Sequence, residues 1–211
     1  MTIEEMHDLC DVIMDKNNAP WYTPEEKDKF IQLAELEFVK NKEQTYEVDE
    51  KGRKDVLTLV RKYSAGSSTS INLDSIDNLM YIVQVKGIYT NSCGKEKIEP
   101  IVPIQLDDEV ELENDPLFDL GKETKGYIET YENGFRELII NSDDVLTNIE
   151  IRYIKKPRLV SRDVNVPANS VDSELPIHVH EEIVDIAVRK MLGSVQDQFQ
   201  YQVQQNEEQK K

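Results

Sequence analysis

The spacing of apolar residues along the chain follows a helical period first, then alternation, then a helical period again. Ile3, Met6, Leu9, Cys10 and Ile13 recur at three and four residues, predicting a helix to about Asp15, and Thr2 and Glu5 stand at the spacing of a capping box. Asn17-Asn18-Ala19-Pro20 then breaks the pattern. Thr23-Pro24-Glu25-Glu26 supplies a cap, a proline at the first helical position and a returning glutamate. It opens a second helix through Phe30, Leu33, Ala34 and Phe38 to about Lys42, with Trp21 expected to fold back as a staple. Val56, Leu57, Leu59, Val60 and Tyr63 read as a third helical stripe, closed by Ser64-Ala65-Gly66-Ser67-Ser68.

From about Ile71 the pattern is that of strands. Met80 to Tyr89 is rich in branched and aromatic residues, with Lys86-Gly87 expected as a bulge. Asn91 to Gly94 reads as a turn into a strand from Ile98 to Gln105, which Pro100 and Pro103 would place at a sheet edge. Leu106 to Leu112 reads as a short acidic helix. Tyr127–Tyr131 and Phe135–Ile140 flank Asn133-Gly134, the dipeptide of tight hairpins. Leu146 to Ile154 is the last strand, with Ile149, Ile151 and Tyr153 alternating against Glu150 and Arg152.

An extended crossing from Asp163 to Ser173 leads to a long amphipathic helix, read from Asp172 to about Gln205. Its apolar residues step by four through Val179, Ile183, Ala187, Met191, Val195, Phe199 and Val203, and at 1.5 Å per residue it spans roughly 45 Å. The preceding domain is too small to cover all of it, so its far end is expected to meet another subunit. The fold class expected from these elements is α+β: a helical bundle of N-terminal helices plus a long C-terminal helix, with an inserted antiparallel β block of about five strands. The corresponding parts are 1–66, the helical part; 67–162, the β insertion; and 163–211, the crossing and the long helix packing on the N-terminal helices.

Charge narrows the function. A net charge of −17 over 211 residues argues against binding nucleic acid through its phosphates, which takes a surplus of lysine and arginine. Cys10 and Cys93 lie far apart and outside any metal or redox spacing, and both read as reduced thiols. The N-terminus lacks the basic start and apolar run of a signal peptide, and no apolar stretch approaches the roughly 20 residues of a membrane span. The expected setting is a reducing cytoplasm.

Candidate chemistry is sparse. His178 and His180 are two residues apart, which on a helix turns them roughly 200° from each other, and Glu182 pairs in space only with His178. A metal-dependent hydrolase built on them fails on spacing. The acidic run Asp107, Asp108, Glu109, Glu111, Glu113 and Asp115 lacks the alternating ligands and central glycine of a calcium loop and reads as a solvated face. Gly121 and Gly134 form no phosphate loop, and Cys93 has no base beside it. No catalytic, cofactor or metal residues are therefore assigned. Arg152, Lys155, Lys156, Arg158 and Arg162 form a basic cluster suited to an acidic neighbouring subunit.

The order of elements, the strand end Tyr153-Ile154-Lys155-Lys156-Pro157 and the helix start Leu175-Pro176-Ile177-His178-Val179-His180-Glu181-Glu182-Ile183-Val184 resemble the head-to-tail connector proteins of tailed bacteriophages. These are adaptor or ring proteins, similar to the tail tubular protein A group of podoviruses, and the acidic, Asn-, Lys- and Ile-rich composition looks most like ring proteins of crAss-like phages. The resemblance implies a structural virion protein with no enzymatic role. Such a protein forms a closed ring, commonly of twelve copies, that joins the capsid portal to other neck and tail proteins and surrounds a channel through which DNA passes without sequence-specific binding. It would reside in the virion neck after synthesis in the host cytoplasm. Ile183, Ala187, Met191, Val195, Phe199, Val203, Lys155, Lys156 and Arg158 are the expected subunit-interface residues. The alternative is an acidic mimic of DNA that inhibits a host DNA-binding enzyme.

Overall fold

The computed structural model describes residues 1–16, 21–46, 48–90, 95–105, 125–132, 134–142 and 145–208, with the backbone alone for 16, 132 and 195–208. The expected turn at 91–94, the acidic helix at 106–112, Cys93 and Gly121 lie outside the described residues. The chain divides into two compact units: Met1–Leu59 with Pro157–Lys211, and Val60–Lys156. The division falls at 59/60 and 156/157, whereas the reading from sequence placed it at 66/67 and 162/163.

The first unit contains four described helices: α1 (Ile3–Lys16), α2 (Pro24–Thr45), α3 (Glu50–Asp55) and α4 (His180–Glu208). Both predicted capping boxes are present. Glu5 N donates to Thr2 Oγ1 at 3.2 Å while Thr2 N donates to Glu5 Oε2 at 2.8 Å. Thr23 and Glu26 exchange the same pair of bonds ahead of α2. Trp21 forms no staple; it is 72% exposed, with the Lys27 ammonium 5.0 Å above its ring. α4 packs against α2 and α1, so Ile31, Ala34, Phe38 and Val39 of α2 and Ile3, Met6, Cys10 and Met14 of α1 are buried.

The second unit is one sheet of seven strands: β1 (Val60–Gly66), β2 (Ser70–Asn72), β3 (Leu79–Thr90), β4 (Glu96–Pro103), β5 (Gly126–Glu132), β6 (Phe135–Asn141) and β7 (Leu146–Lys155). Their order is β1-β7-β3-β4-β5-β6-β2, antiparallel throughout except for the β4–β5 pair. β1 and β2 are therefore the two ends of the sheet, yet only residues 67–69 separate them. Four Cα steps reach at most about 15 Å, which forces the ends together and curls the sheet into a nearly closed barrel. Register shifts at Leu79/Tyr81, Ile82/Gln84 and Ile88/Tyr89 in β3 supply bends of the kind closure requires. The interior is filled by alternate residues, among them Val85, Tyr89, Ile101, Leu138, Ile140, Ile149, Ile151 and Tyr153.

The expected N-terminal bundle carrying a five-stranded insertion is thus corrected: the fold is α+β with four described helices and a seven-stranded barrel-like sheet. The third helical stripe is the source of the error. Val56 and Leu59 are buried in a turn that leaves Leu57 62% exposed, and Val60 and Tyr63 belong to β1, paired with Ile154 and Ile151. The Ser64–Ser68 run is the end of β1 and the joint to β2, not a boundary between units. β4 is no edge either, since it lies between β3 and β5. Its prolines are tolerated because the N–H groups that reach β5 belong to Val102 and Ile104, and pairing with β3 ends at Ile101. The segment 163–173 is no plain crossing but a lobe pinched by a bridge between Ser161 and Val171.

Gly87 was expected to mark a bulge, yet it pairs regularly with Glu99 and Ile149. Its role is space: a Cβ there would stand 2.5 Å from the Tyr89 hydroxyl and 2.8 Å from Leu146 Cδ2. Gly87→Ala is expected to destabilise the barrel by about 1–3 kcal/mol through overpacking, measured by urea denaturation monitored through tyrosine fluorescence and near-UV dichroism.

Candidate functional site

α4 positions most of the residues assigned to a subunit interface. A single turn at Ile177–Val179 precedes it, after which Ile183, Ala187 and Met191 point inward and are fully buried within their own unit. They present no surface to a neighbour. At the level of Ser194 the helix is tied to the start of α2: the Tyr22 hydroxyl donates to Met191 O at 2.9 Å and lies 2.8 Å from Ser194 Oγ. Lys190 also bridges to Glu37. The helical backbone then continues to Glu208, about 21 Å further at 1.5 Å per residue. Val195, Phe199 and Val203 recur every fourth residue on that extension; their side chains lie outside the described residues. On its outer face Arg189 Nε donates to Asp185 O at 3.3 Å.

The basic cluster separates by environment. Lys155 is half-buried and its neighbour Lys156 is exposed, with the Lys156 backbone N–H donating to Asn78 O at 2.7 Å. Arg158 is exposed, and its backbone N–H is held by Glu174 Oε2 at 3.0 Å. Arg162 instead reaches Glu4 at 3.0 Å, inside its own unit, and Arg152 lies 3.7 Å from Glu150. Lys156 and Arg158 are the members of the cluster with exposed side chains and no carboxylate at bridging distance among the described residues.

The titratable groups of the first unit form separate, mostly buried sets. His178 and His180 diverge as the spacing requires: His178 Nε2 donates to Asp55 Oδ1 at 2.9 Å, and His180, buried, donates to Leu175 O at 2.9 Å. Asp55 also takes Lys42 Nζ at 3.0 Å on its other oxygen, and Lys42 lies 3.6 Å from Glu182. Burial of Asp55 favours its neutral form, but the bonds from His178 and Lys42 outweigh that and hold its carboxyl below the usual aspartate range. Lys42 is held above the usual lysine range: burial opposes its charge, and Asp55 and Glu182 overcome it. On α1 and α2, His7 Nε2 donates to Asp28 Oδ1 at 2.8 Å. Cys10, one turn on, is an inert thiol that burial pushes up to about 12, so the pair forms no nucleophilic dyad. No three metal-ligating side chains converge among the described residues.

Reading by motif passed over Asp55, His7, Asp28 and Glu35. For two of them the signal is their position in the stripe, since His7 falls between Ile3 and Cys10 and Glu35 between Ile31 and Phe38, where a polar residue must find a partner. Compared with known families and curated proteins, the chain matches no family model and no curated sequence. No described helix is long and apolar enough to cross a membrane.

Asp55→Asn is expected to cost about 3–5 kcal/mol at neutral pH, the range for breaking one side of a buried ion pair, and His178→Ala about 1 kcal/mol or less because that ring is half exposed. Because the folded pKa of Asp55 lies below the ordinary 3.8, its contribution is complete above that value and is lost as pH falls through the folded one. The stability gap between wild type and Asp55→Asn should therefore close in urea titrations at strongly acid pH.

Proposed function

We propose that this chain is a structural virion protein of a tailed bacteriophage. It assembles into a closed ring in the neck, commonly of twelve copies, joining the portal to other neck and tail proteins around the DNA channel. The observation that carries this reading is the extension of α4 beyond its tie to Tyr22. A helix that continues about 21 Å past its last described anchor, with Val195, Phe199 and Val203 at four-residue spacing, needs a second surface to cover that stripe. A neighbouring copy supplies one, and a head-to-tail contact closes when its rotation divides a full circle. Lys156 and Arg158 suit the acidic surface of such a neighbour in a chain of net charge −17. The same acidity lets DNA pass through a lumen, since fixed negative charge offers phosphates no site.

Because Ile183, Ala187 and Met191 are already buried, the proposed interface consists of Val195, Phe199 and Val203 with Lys156 and Arg158. Light scattering of the protein mixed with its portal should give a ring; twelve copies at 24.4 kDa amount to about 293 kDa. Phe199→Asp with Val203→Asp should weaken ring formation at least tenfold while helix content and melting temperature hold. Assembly unchanged by that double variant, together with absence of the protein from purified virions, contradicts the reading; capture of a basic host nuclease would favour the DNA-mimic alternative instead.

A further inference from the structure

Strand register fixes what the barrel shows on its outside. Tyr63, Ile151, Val85 and Ile101 share a row whose side chains turn inward, so the rows flanking it turn outward. In one of these, Lys62 of β1 stands opposite Arg152 of β7, and Arg152 opposite Gln84 of β3. In the other, Glu150 of β7 stands opposite Lys86 of β3, and Lys86 opposite Pro100 of β4. The next outward row pairs Ile88 with Ile98, which is 61% exposed, and Val102, two residues past Pro100, is exposed as well.

The charges on this face do not balance. Lys62 and Arg152 are like charges directly across from each other, an arrangement that weakens a sheet. Glu150 serves both, bridging to Lys62 and lying 3.7 Å from Arg152, and it also stands across from Lys86. Three cations therefore share one carboxylate, a surplus of two positive charges over these rows in a chain of net charge −17. The next acid on the face, Glu96, lies one row past Ile98 at the end of β4. Exposed apolar residues with charge along their margin have the make-up of a protein interface.

α1 carries the opposite pattern. No lysine or arginine precedes Lys16, and Glu5, Asp8, Val12 and Asp15 follow one another at three- and four-residue steps along its exposed side. Val12 is 50% exposed in the middle of these acids. Arg162 answers Glu4 and lies 4.0 Å from Asp8, whereas Glu5 and Asp15 have no cation at bridging distance among the described residues. The exposed sides of α2 and α4 are mixed in charge instead, with Lys29 and Lys40 on the first and Arg189 on the second.

We propose that the outer face of β1, β7, β3 and β4 docks the acidic stripe of α1 from a second copy of this chain. Val12 covers the apolar part at Ile98 and Val102, while Glu5, Asp8 and Asp15 neutralise the cations that Glu150 leaves over. The dimensions agree: ten residues of helix from Glu5 to Asp15 rise about 15 Å, and three strand spacings from β4 to β1 cover about 14 Å. One copy gives its barrel and the next its α1, so the contact is head-to-tail and can repeat around a closed ring. It deepens the ring reading and rests on it, as a second contact beside the distal part of α4.

Zero-length carbodiimide coupling of an equal mixture of 14N- and 15N-labelled full-length chains, with the portal and at low salt, tests the contact. Mass spectrometry should find mixed-isotope amides joining Lys62 or Lys86 to Glu5, Asp8 or Asp15. Lys86→Glu with Arg152→Glu should weaken association at least tenfold, and adding Asp8→Lys with Asp15→Lys to the same chain should restore it. Ile98→Asp and Val12→Asp, at exposed positions, should each weaken assembly while the circular dichroism of the single chain is unchanged. Rings that form without these crosslinks, or that tolerate the charge reversals and both aspartates, overturn the docking face and leave the ring reading standing. Retention of the chain on duplex DNA that is lost in Lys86→Glu with Arg152→Glu would assign the face to phosphates and overturn it too. A wild-type chain that does not self-associate with or without the portal overturns both readings.

Discussion

The packing of α4 against α2 and α1 is the constraint on which the first unit depends. The pieces it unites are far apart in sequence: Met1–Leu59 precedes the barrel and Pro157–Lys211 follows it. Val179, Ile183, Val184, Ala187 and Met191 are buried on one side of that union, and Ile31, Ala34, Phe38, Ile3 and Met6 on the other. Fully burying an aliphatic side chain of this kind stabilises by about 1.5–3 kcal/mol, far more than any of the surface ion pairs. Polar ties then set register along the pair, with Tyr22 at Met191 and Ser194, and Lys42 at Asp55 and Glu182.

The barrel follows a different rule. β7 is paired on both sides, by β1 and β3, so its alternate residues Ile149, Ile151 and Tyr153 face the interior and are the axis on which the sheet is ordered. Closure comes from connectivity: the short joint between β1 and β2 brings the sheet's ends together, and the register shifts of β3 give it curvature. Tyr89 fills the interior because Gly87 leaves room for it.

What was legible beforehand was local. Capping boxes at Thr2 and Thr23 act within one turn, β5 and β6 pair across the short step from Glu132 to Phe135, and β7 announces itself by strict alternation, so composition and spacing carry each of them. β1 was not legible, since Val60 and Tyr63 satisfy a helical period and an extended one alike; the choice is made by Ile154 and Ile151, more than eighty residues away. β2, at three residues, is too short to have a period. His7 and Asp28 acquire meaning only from each other and from the Arg162 N–H, which no spacing rule connects to them. The stripe of α4 was visible as a whole, but which half is buried at home depends on where α2 begins.

That division of α4 gives the protein its proposed role. Up to Ser194 the helix is consumed by its own unit, and beyond it the same four-residue spacing continues on a helix that runs to Glu208. A ring of neighbouring copies is a physical means of covering such an extension. The most direct measurement is electron cryomicroscopy of the protein assembled on the portal proposed as its partner. The account predicts residues 195–208 seated against the adjacent copy, with Phe199 and Val203 covered by it; a distal helix folded wholly onto its own protomer, with no lateral neighbours, would contradict it.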